Sequence, residues 1–257
     1  LEFRRVLFRS MLNKKITMDM THGSLWNKIL MFALPLAASS ILQQLFNSVD
    51  TAVVGRFASS QALAAVGSNS SLISLMINLF IGISLGSNVV IAHYIGQKSE
   101  KNIHAAVHTA IVVAILSGVF VMILGQFIAK PVLLLMGTPE DVIDLAVFYL
   151  RIYLIGMPFI MLYDFGSSIL RSTGDSKRPL YSLIVAGIVN TVLNLILVIV
   201  FKLGVSGVAI ATVISNVVSS SMVMVILMHE SDPIRLYVRK LTIVPRELKK
   251  IPTIGVP

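Results

Sequence analysis

A single aspartate interrupts the first long apolar stretch of this chain. Asp50 lies near the end of Leu25–Val54, with no lysine or arginine close enough in sequence to neutralise it. A carboxylate at membrane depth costs roughly 2.5–3.5 kcal/mol, so its presence there reads by default as chemistry. The alternative is that Asp50 marks a helix end among lipid headgroups, but Thr51–Val54 continue the apolar stretch beyond it. Gln43, Gln44 and Asn47 precede it, and Asn47, three residues away, shares its helix face. A second polar pair, Asn190 and Asn194, is four residues apart within the apolar run Ile184–Val200, so both amides stack on one face. Thr212 and Asn216 repeat the spacing further on. Carboxylate, amide and hydroxyl oxygens together are what a hard cation selects, whereas a proton needs only the carboxylate. Interhelical hydrogen bonding alone also accounts for the asparagine pair, and a threonine by itself is commonly bonded to its own backbone.

Long apolar elements must position these residues. The 257-residue chain is 56% hydrophobic and 13% charged, with a mean hydropathy of +0.87, well outside the range of soluble domains. A membrane-crossing helix needs about 20 apolar residues. Six stretches qualify, at approximately 25–49, 62–91, 103–128, 141–170, 180–201 and 205–228. The segments between them carry glycine, proline and charge, at 96–101, 137–141 and 174–179. Lys202–Gly204 is so short that the fifth and sixth spans must form a tight antiparallel pair. The fourth run exceeds what a bilayer requires and is expected to tilt, or to project at its Glu140–Asp144 end.

Basic residues set the orientation. One side holds Lys14, Lys15, Lys28, Lys98, Lys101, Arg171, Lys177, Arg178 and the basic residues of 235–250, and the other only Arg56, Lys130 and Lys202. The positive-inside rule then places both ends of the chain in the cytoplasm and Asp50 in the outer half of the membrane. Residues 1–10 read as vector or adaptor sequence, 11–24 as a cytoplasmic segment, 25–228 as a six-helix unit, and 229–257 as a cytoplasmic linker with the start of a seventh helix. Lys28-Ile29 with Pro35 matches Lys250-Ile251 with Pro257 in spacing, as if a second copy of the unit began there. Parallel repeats of this kind build transporters with sites between the halves.

Several classes are excluded or disfavoured. The absence of cysteine removes disulfides, thiolate metal sites and cysteine nucleophiles. A net charge of +9 invites nucleic acid, but the basic residues sit between apolar runs and in the tails, without an aromatic-interleaved stripe. Zinc-protease, phosphate-loop and nucleophile-elbow motifs are missing, so an enzyme is not expected. His104 and His108 share a helix face but lack a third ligand nearby. Asp164, with Arg171 two turns on, is a candidate for function but reads first as an interface anchor or hydrogen-bonding group, and Arg151 as snorkelling or paired with an acid such as Asp144. Gly82 and Gly86 are spaced for close helix packing, and the twelve methionines for core, lipid-facing or adaptable pocket positions.

Five segments in order carry a family resemblance: Pro35–Gly55, Ala64–Gly67, Gly96-Gln97, Leu170–Pro179 and Gly204–Thr212. Together they resemble the multidrug and toxic compound extrusion (MATE) transporters over about residues 22–257. The resemblance implies an all-α membrane protein, a six-transmembrane-helix lobe of a twelve-helix transporter with two lobes related by a pseudo-twofold axis. It implies a multi-pass protein of a bacterial cytoplasmic membrane, an antiporter in which sodium or proton entry drives export of amphipathic, often cationic drugs or metabolites. No cofactor beyond the coupling ion is expected. The partners are small amphipathic substrates, the lipid bilayer and a second, C-terminal lobe, with no nucleic acid. On this pattern Asp50, Asn190, Asn194 and Thr212 form the cation or proton site, Pro35 is a bending point of the first helix, and Gln43 and Asn47 are candidates to line the substrate cavity. Some family members have aspartate where this chain has Asn194, which leaves sodium and proton both open. A lipid-linked oligosaccharide flippase of the same superfamily is the alternative transporter, although such proteins tend to have cationic cavities and here only Arg151 lies well within a span. A non-transporting membrane scaffold is the third reading.

Overall fold

The computed structural model describes residues 25–255, and among them all regular structure is helical. The leader at 1–10, the segment 11–24 and Pro257 of the repeated spacing lie outside the described residues. The helices are α1 (Leu25–Phe57), α2 (Ser60–Gly96), α3 (Glu100–Leu135), α4 (Glu140–Ile155), α5 (Met157–Ser172), α6 (Lys177–Asn194), α7 (Val205–His229) and α8 (Pro245–Gly255). Five are long and apolar enough to cross a membrane, and α4 with α5 makes a sixth, bent span. Large apolar side chains stay exposed on the outside, among them Leu75, Phe120, Phe127 and Leu135. Such an exterior suits lipid, and helices satisfy their own backbone there.

The first helix runs eight residues past the expected 49, so Asp50 lies inside α1, seven residues before Phe57. Pro35 is buried within the same continuous helix. Its ring nitrogen cannot donate to the preceding turn, and its carbonyl accepts an extra hydrogen bond from Ser39 Oγ at 2.8 Å.

The fourth run does not simply tilt or project. It breaks at Gly156, and the two halves bend by 46°. Pro158, at the start of α5, lacks the N–H that would continue the ladder to Leu154. The Gly156 N–H closes a tighter turn on the Tyr153 carbonyl at 2.9 Å. Gly118 of α3 lets the break pack inward, because a Cβ there would lie 2.9 Å from the Pro158 nitrogen. Arg151 does not pair with Asp144, and its exposure fits the snorkelling reading instead. Asp144 pairs with Lys130 at 3.5 Å, whereas Arg151 is exposed and its carbonyl accepts from Gln126 Nε2 at 3.0 Å. Lys130 reaches Asp144 across the α3–α4 turn, whereas the two turns between Asp144 and Arg151 span about 10 Å along the axis.

α6 and α7 are joined through Lys202 and Gly204, both at positive φ (54° and 55°), and they pack along their length. The end of the fifth span is wider than an α-helix: Leu195–Val200 form a π-helical turn directly after Asn194. Such turns recur at functional sites. Two turns before Asn194 on the same face of α6, Gly187 gives the Phe46 ring of α1 the space where a Cβ would stand. The main core lies among α2, α3, α4 and α5, centred on Phe165, Met161, Leu150 and Ile111. Asn69 ties α2 to α4 by donating to the Ala146 carbonyl at 3.0 Å.

The C-terminal segment folds back on the bundle. α8 packs on α2, where Tyr94 donates to Glu247 Oε1 and accepts from Lys250 Nζ, both at 2.9 Å. His108 accepts the Tyr237 N–H at Nε2 (3.2 Å) and stacks on its ring at 6.4 Å. These contacts give the histidine a structural use.

Candidate functional site

Three helices bring the polar residues of the first, fifth and sixth spans together. Asp50 on α1, Asn194 on α6 and Thr212 on α7 each lie six or seven residues from the same end of the bundle, at Phe57, Val200 and Val205. Asn194 Nδ2 donates to Asp50 Oδ1 and to Asn190 Oδ1 at 3.1 Å. Asn190 Nδ2 donates to Thr212 Oγ1 at 3.4 Å. Thr212 has one proton and two acceptors for it, the Val208 carbonyl at 3.0 Å and Asp50 Oδ2 at 3.4 Å. The shorter bond is internal to α7, so Oδ2 of Asp50 receives at most a weak hydrogen bond.

Asp50, Asn190 and Asn194 are buried, and the Asn194 amide oxygen is buried without a hydrogen-bond partner. Among the described residues no lysine or arginine forms an ion pair with Asp50. The cluster therefore holds one carboxylate with neutral donors on one oxygen, and spare oxygen lone pairs on Asp50, Asn194 and Thr212. That donor set can accept a proton on Asp50 or hold a hard monovalent cation. Among the described residues no group of three or more His, Asp or Glu side chains converges as a metal site.

Asp50 stands between two cavities. The larger, about 800 Å³, is lined by Gln43, Gln44 and Asn47 of α1, by Ser70 and Asn78 of α2, and by Tyr149 and Tyr153 of α4. The smaller, about 160 Å³, runs between α1, α5, α6 and α7. Gln43, Asn47, Asp50, Ile77, Tyr153 and Thr212 border both. Asp164 lines only the smaller one and belongs to the site's surroundings, which favours the functional alternative over the interface reading. Its position depends on the Gly156 break, which sets the direction of α5. The signal was present in Gly156-Met157-Pro158, but a span judged by length absorbs it.

A second buried cluster escaped the sequence reading. Arg178, at the start of α6, pairs through Nε with Asp175 and through Nη1 with Glu230 Oε2 at 2.5 Å. Asp175 Oδ1 also accepts the backbone N–H groups of Lys177 and Arg178, each at 3.1 Å, and so caps α6.

Comparison with known proteins agrees with this architecture. Residues 35–196 match the family model MatE. The chain is 37% identical over 224 residues to the probable multidrug resistance protein YoeA of Bacillus subtilis (strain 168), an alignment covering 86% of this chain and 48% of that protein. Among solved structures, it superimposes on a MATE protein in the bent conformation with a TM-score of 0.84 and 25% identity, covering 97% of this chain and 54% of the other. A MATE structure in the straight conformation gives the same TM-score at 26% identity, covering 95% and 55%. The chain thus spans about half the length of the relatives it matches. These are transporters and not enzymes. With six apolar spans, a polar cluster between the first, fifth and sixth, and a match over 35–196, the chain belongs to the MatE family.

Proposed function

We propose that this lobe is the ion-coupling half of an antiporter that exports amphipathic, often cationic drugs or metabolites in exchange for sodium or protons. The observation that carries the reading is the buried Asp50 carboxylate, bonded only by the neutral donors of Asn194 and Thr212, with the Asn194 amide oxygen buried nearby without a partner. Its place beside a cavity of about 800 Å³ supports coupling, since pockets for drug-sized ligands run about 300–1,000 Å³. Both ends of the chain lie on the cytoplasmic side of a bacterial membrane, and a second lobe of the same transporter completes the drug pathway.

In this mechanism cation and drug bias the same equilibrium between outward- and inward-facing states. Each can shift it only by its difference in affinity for the two. A cation on Asp50 neutralises the cluster and lets α1 repack against α6, where Phe46 sits on Gly187. Pro35 is the point at which α1 adjusts. A flippase for lipid-linked sugars gains no support, because Arg151 is exposed and lines neither cavity. A scaffold has no use for an under-paired carboxylate.

The test is gradient-driven export of ethidium by the full-length transporter in proteoliposomes, wild type against Asp50→Asn. Loss of coupled export with normal reconstitution is the expected result. Wild-type export by Asp50→Asn would remove the carboxylate from the mechanism.

A further inference from the structure

Asp164 and Arg171, both on α5, have no part in the mechanism above, and each keeps a buried polar atom unpartnered: Oδ2 of Asp164 and Nε of Arg171. Asp164 lies eight residues before Ser172, toward the end of the bundle opposite to Phe57 and Val205. Yet it lines the same narrow cavity as Asp50. On α7 the lining residues Thr212, Ser215 and Ser219 form one stripe, as do Asn190, Gly187 and Leu183 on α6. Seven residues of helix rise about 10 Å. The cavity is therefore a column along the bundle, its polar stripes set among apolar residues such as Ile160 and Leu183, with Asp50 at one end and Asp164 toward the other.

Its size selects the occupant. At about 160 Å³ it has room for several waters. A drug-sized molecule needs about twice that volume or more. Tyr153 and Tyr163 also face the column, and the Tyr163 hydroxyl is already committed to the Pro179 carbonyl at 3.2 Å.

We propose that Asp164 is a second acceptor for the coupling cation, a proton or a small monovalent cation, reached from Asp50 through this column while drug occupies only the larger cavity. The inference rests on the ion-coupled reading of Asp50. For a proton, the Asp50 carboxyl gives up its proton and becomes carboxylate, water in the column carries it, and the Asp164 carboxylate becomes the carboxyl, with total charge unchanged. A metal cation moves in the same direction between the two carboxylates. Arg171, two turns further along α5, supplies the positive charge that balances Asp164 once the cation has gone on.

The experiment uses the full-length transporter in proteoliposomes, with ethidium as the exported cation and either a sodium or a proton gradient imposed. In Asp164→Asn, ethidium should bind with wild-type Kd while export slows by about tenfold or more, under whichever gradient drives the wild type. Asp164→Glu should restore export. Ser219→Val, which narrows the column and touches neither carboxylate, should slow export in the same way and stands in if Asp164→Asn fails to accumulate. Wild-type export rates in Asp164→Asn or in Ser219→Val, with Asp50→Asn inactive, would overturn the role of Asp164 and leave that of Asp50. An ethidium Kd weakened about tenfold in Asp164→Asn would overturn it in favour of drug binding. Full export by Asp50→Asn would instead remove the coupling mechanism on which the inference stands.

Discussion

Two clusters of buried charge sit near opposite ends of this lobe, and they are completed in different ways. At Arg178 one guanidinium meets two carboxylates, Asp175 and Glu230, and Asp175 also caps α6 through two backbone N–H groups. At Asp50 one carboxylate meets only an amide and a weakly placed hydroxyl, and an amide oxygen beside it is left unpartnered. Burying a charge is costly in both places. The Arg178 cluster meets much of that cost within the protein, by linking the start of α6 to the residue that follows α7, although its Nη2 is buried without a partner. The Asp50 cluster lacks a positive charge that a bound proton or cation would supply. The contrast separates a charge kept for structure from a charge kept for exchange.

The largest effect on stability should come from the paired cluster. Arg178→Ala leaves Asp175 and Glu230 buried without their cation, and loss of one partner from such a group costs about 3–5 kcal/mol. A lowered unfolding midpoint and poor accumulation should report it, and an unchanged midpoint would break the comparison on this side. Glu230→Gln keeps an acceptor for Arg178 and should cost less, about 1–3 kcal/mol, in the same assay. Asn194→Asp places a second carboxylate against Asp50, and its main effect should fall on ligand binding. Cation affinity should change by about tenfold or more, read by equilibrium titration. Asp50→Asn should have the smallest effect on folding, because it removes a charge from membrane depth and keeps the side chain's size. Its midpoint should stay within about 1 kcal/mol of wild type, or rise.

The two clusters were not equally legible in the sequence. Asp50, Asn190, Asn194 and Thr212 stand out because the spans around them are so apolar, and four-residue spacing predicts a shared face for the asparagines. Gln43 and Asn47 fall seven and three residues before Asp50, and the same periodicity brings them to its cavities. The Arg178 cluster joins residues 3 and 52 positions apart. Its members stand at helix ends and in connectors, where charge is ordinary and no periodicity links them. Asp164 stood out as a residue, but its place was hidden by the break at Gly156, since a 30-residue run read as one helix gives the wrong direction to everything after Pro158. The π-turn at Leu195–Val200 has no sequence mark, because a run of Leu, Ile and Val suits either helix.

The central claim is that a cation and an exported drug compete through Asp50. The direct measurement is the ethidium Kd of the purified full-length transporter, titrated with sodium and, separately, with protons, for wild type and Asp50→Asn. Linkage requires that a cation opposing drug binding weaken it by the same factor by which drug weakens cation binding. The wild-type Kd should rise with one of the two cations while that of Asp50→Asn stays flat. A flat wild-type titration with both, or an equal rise in the two proteins, would contradict the account.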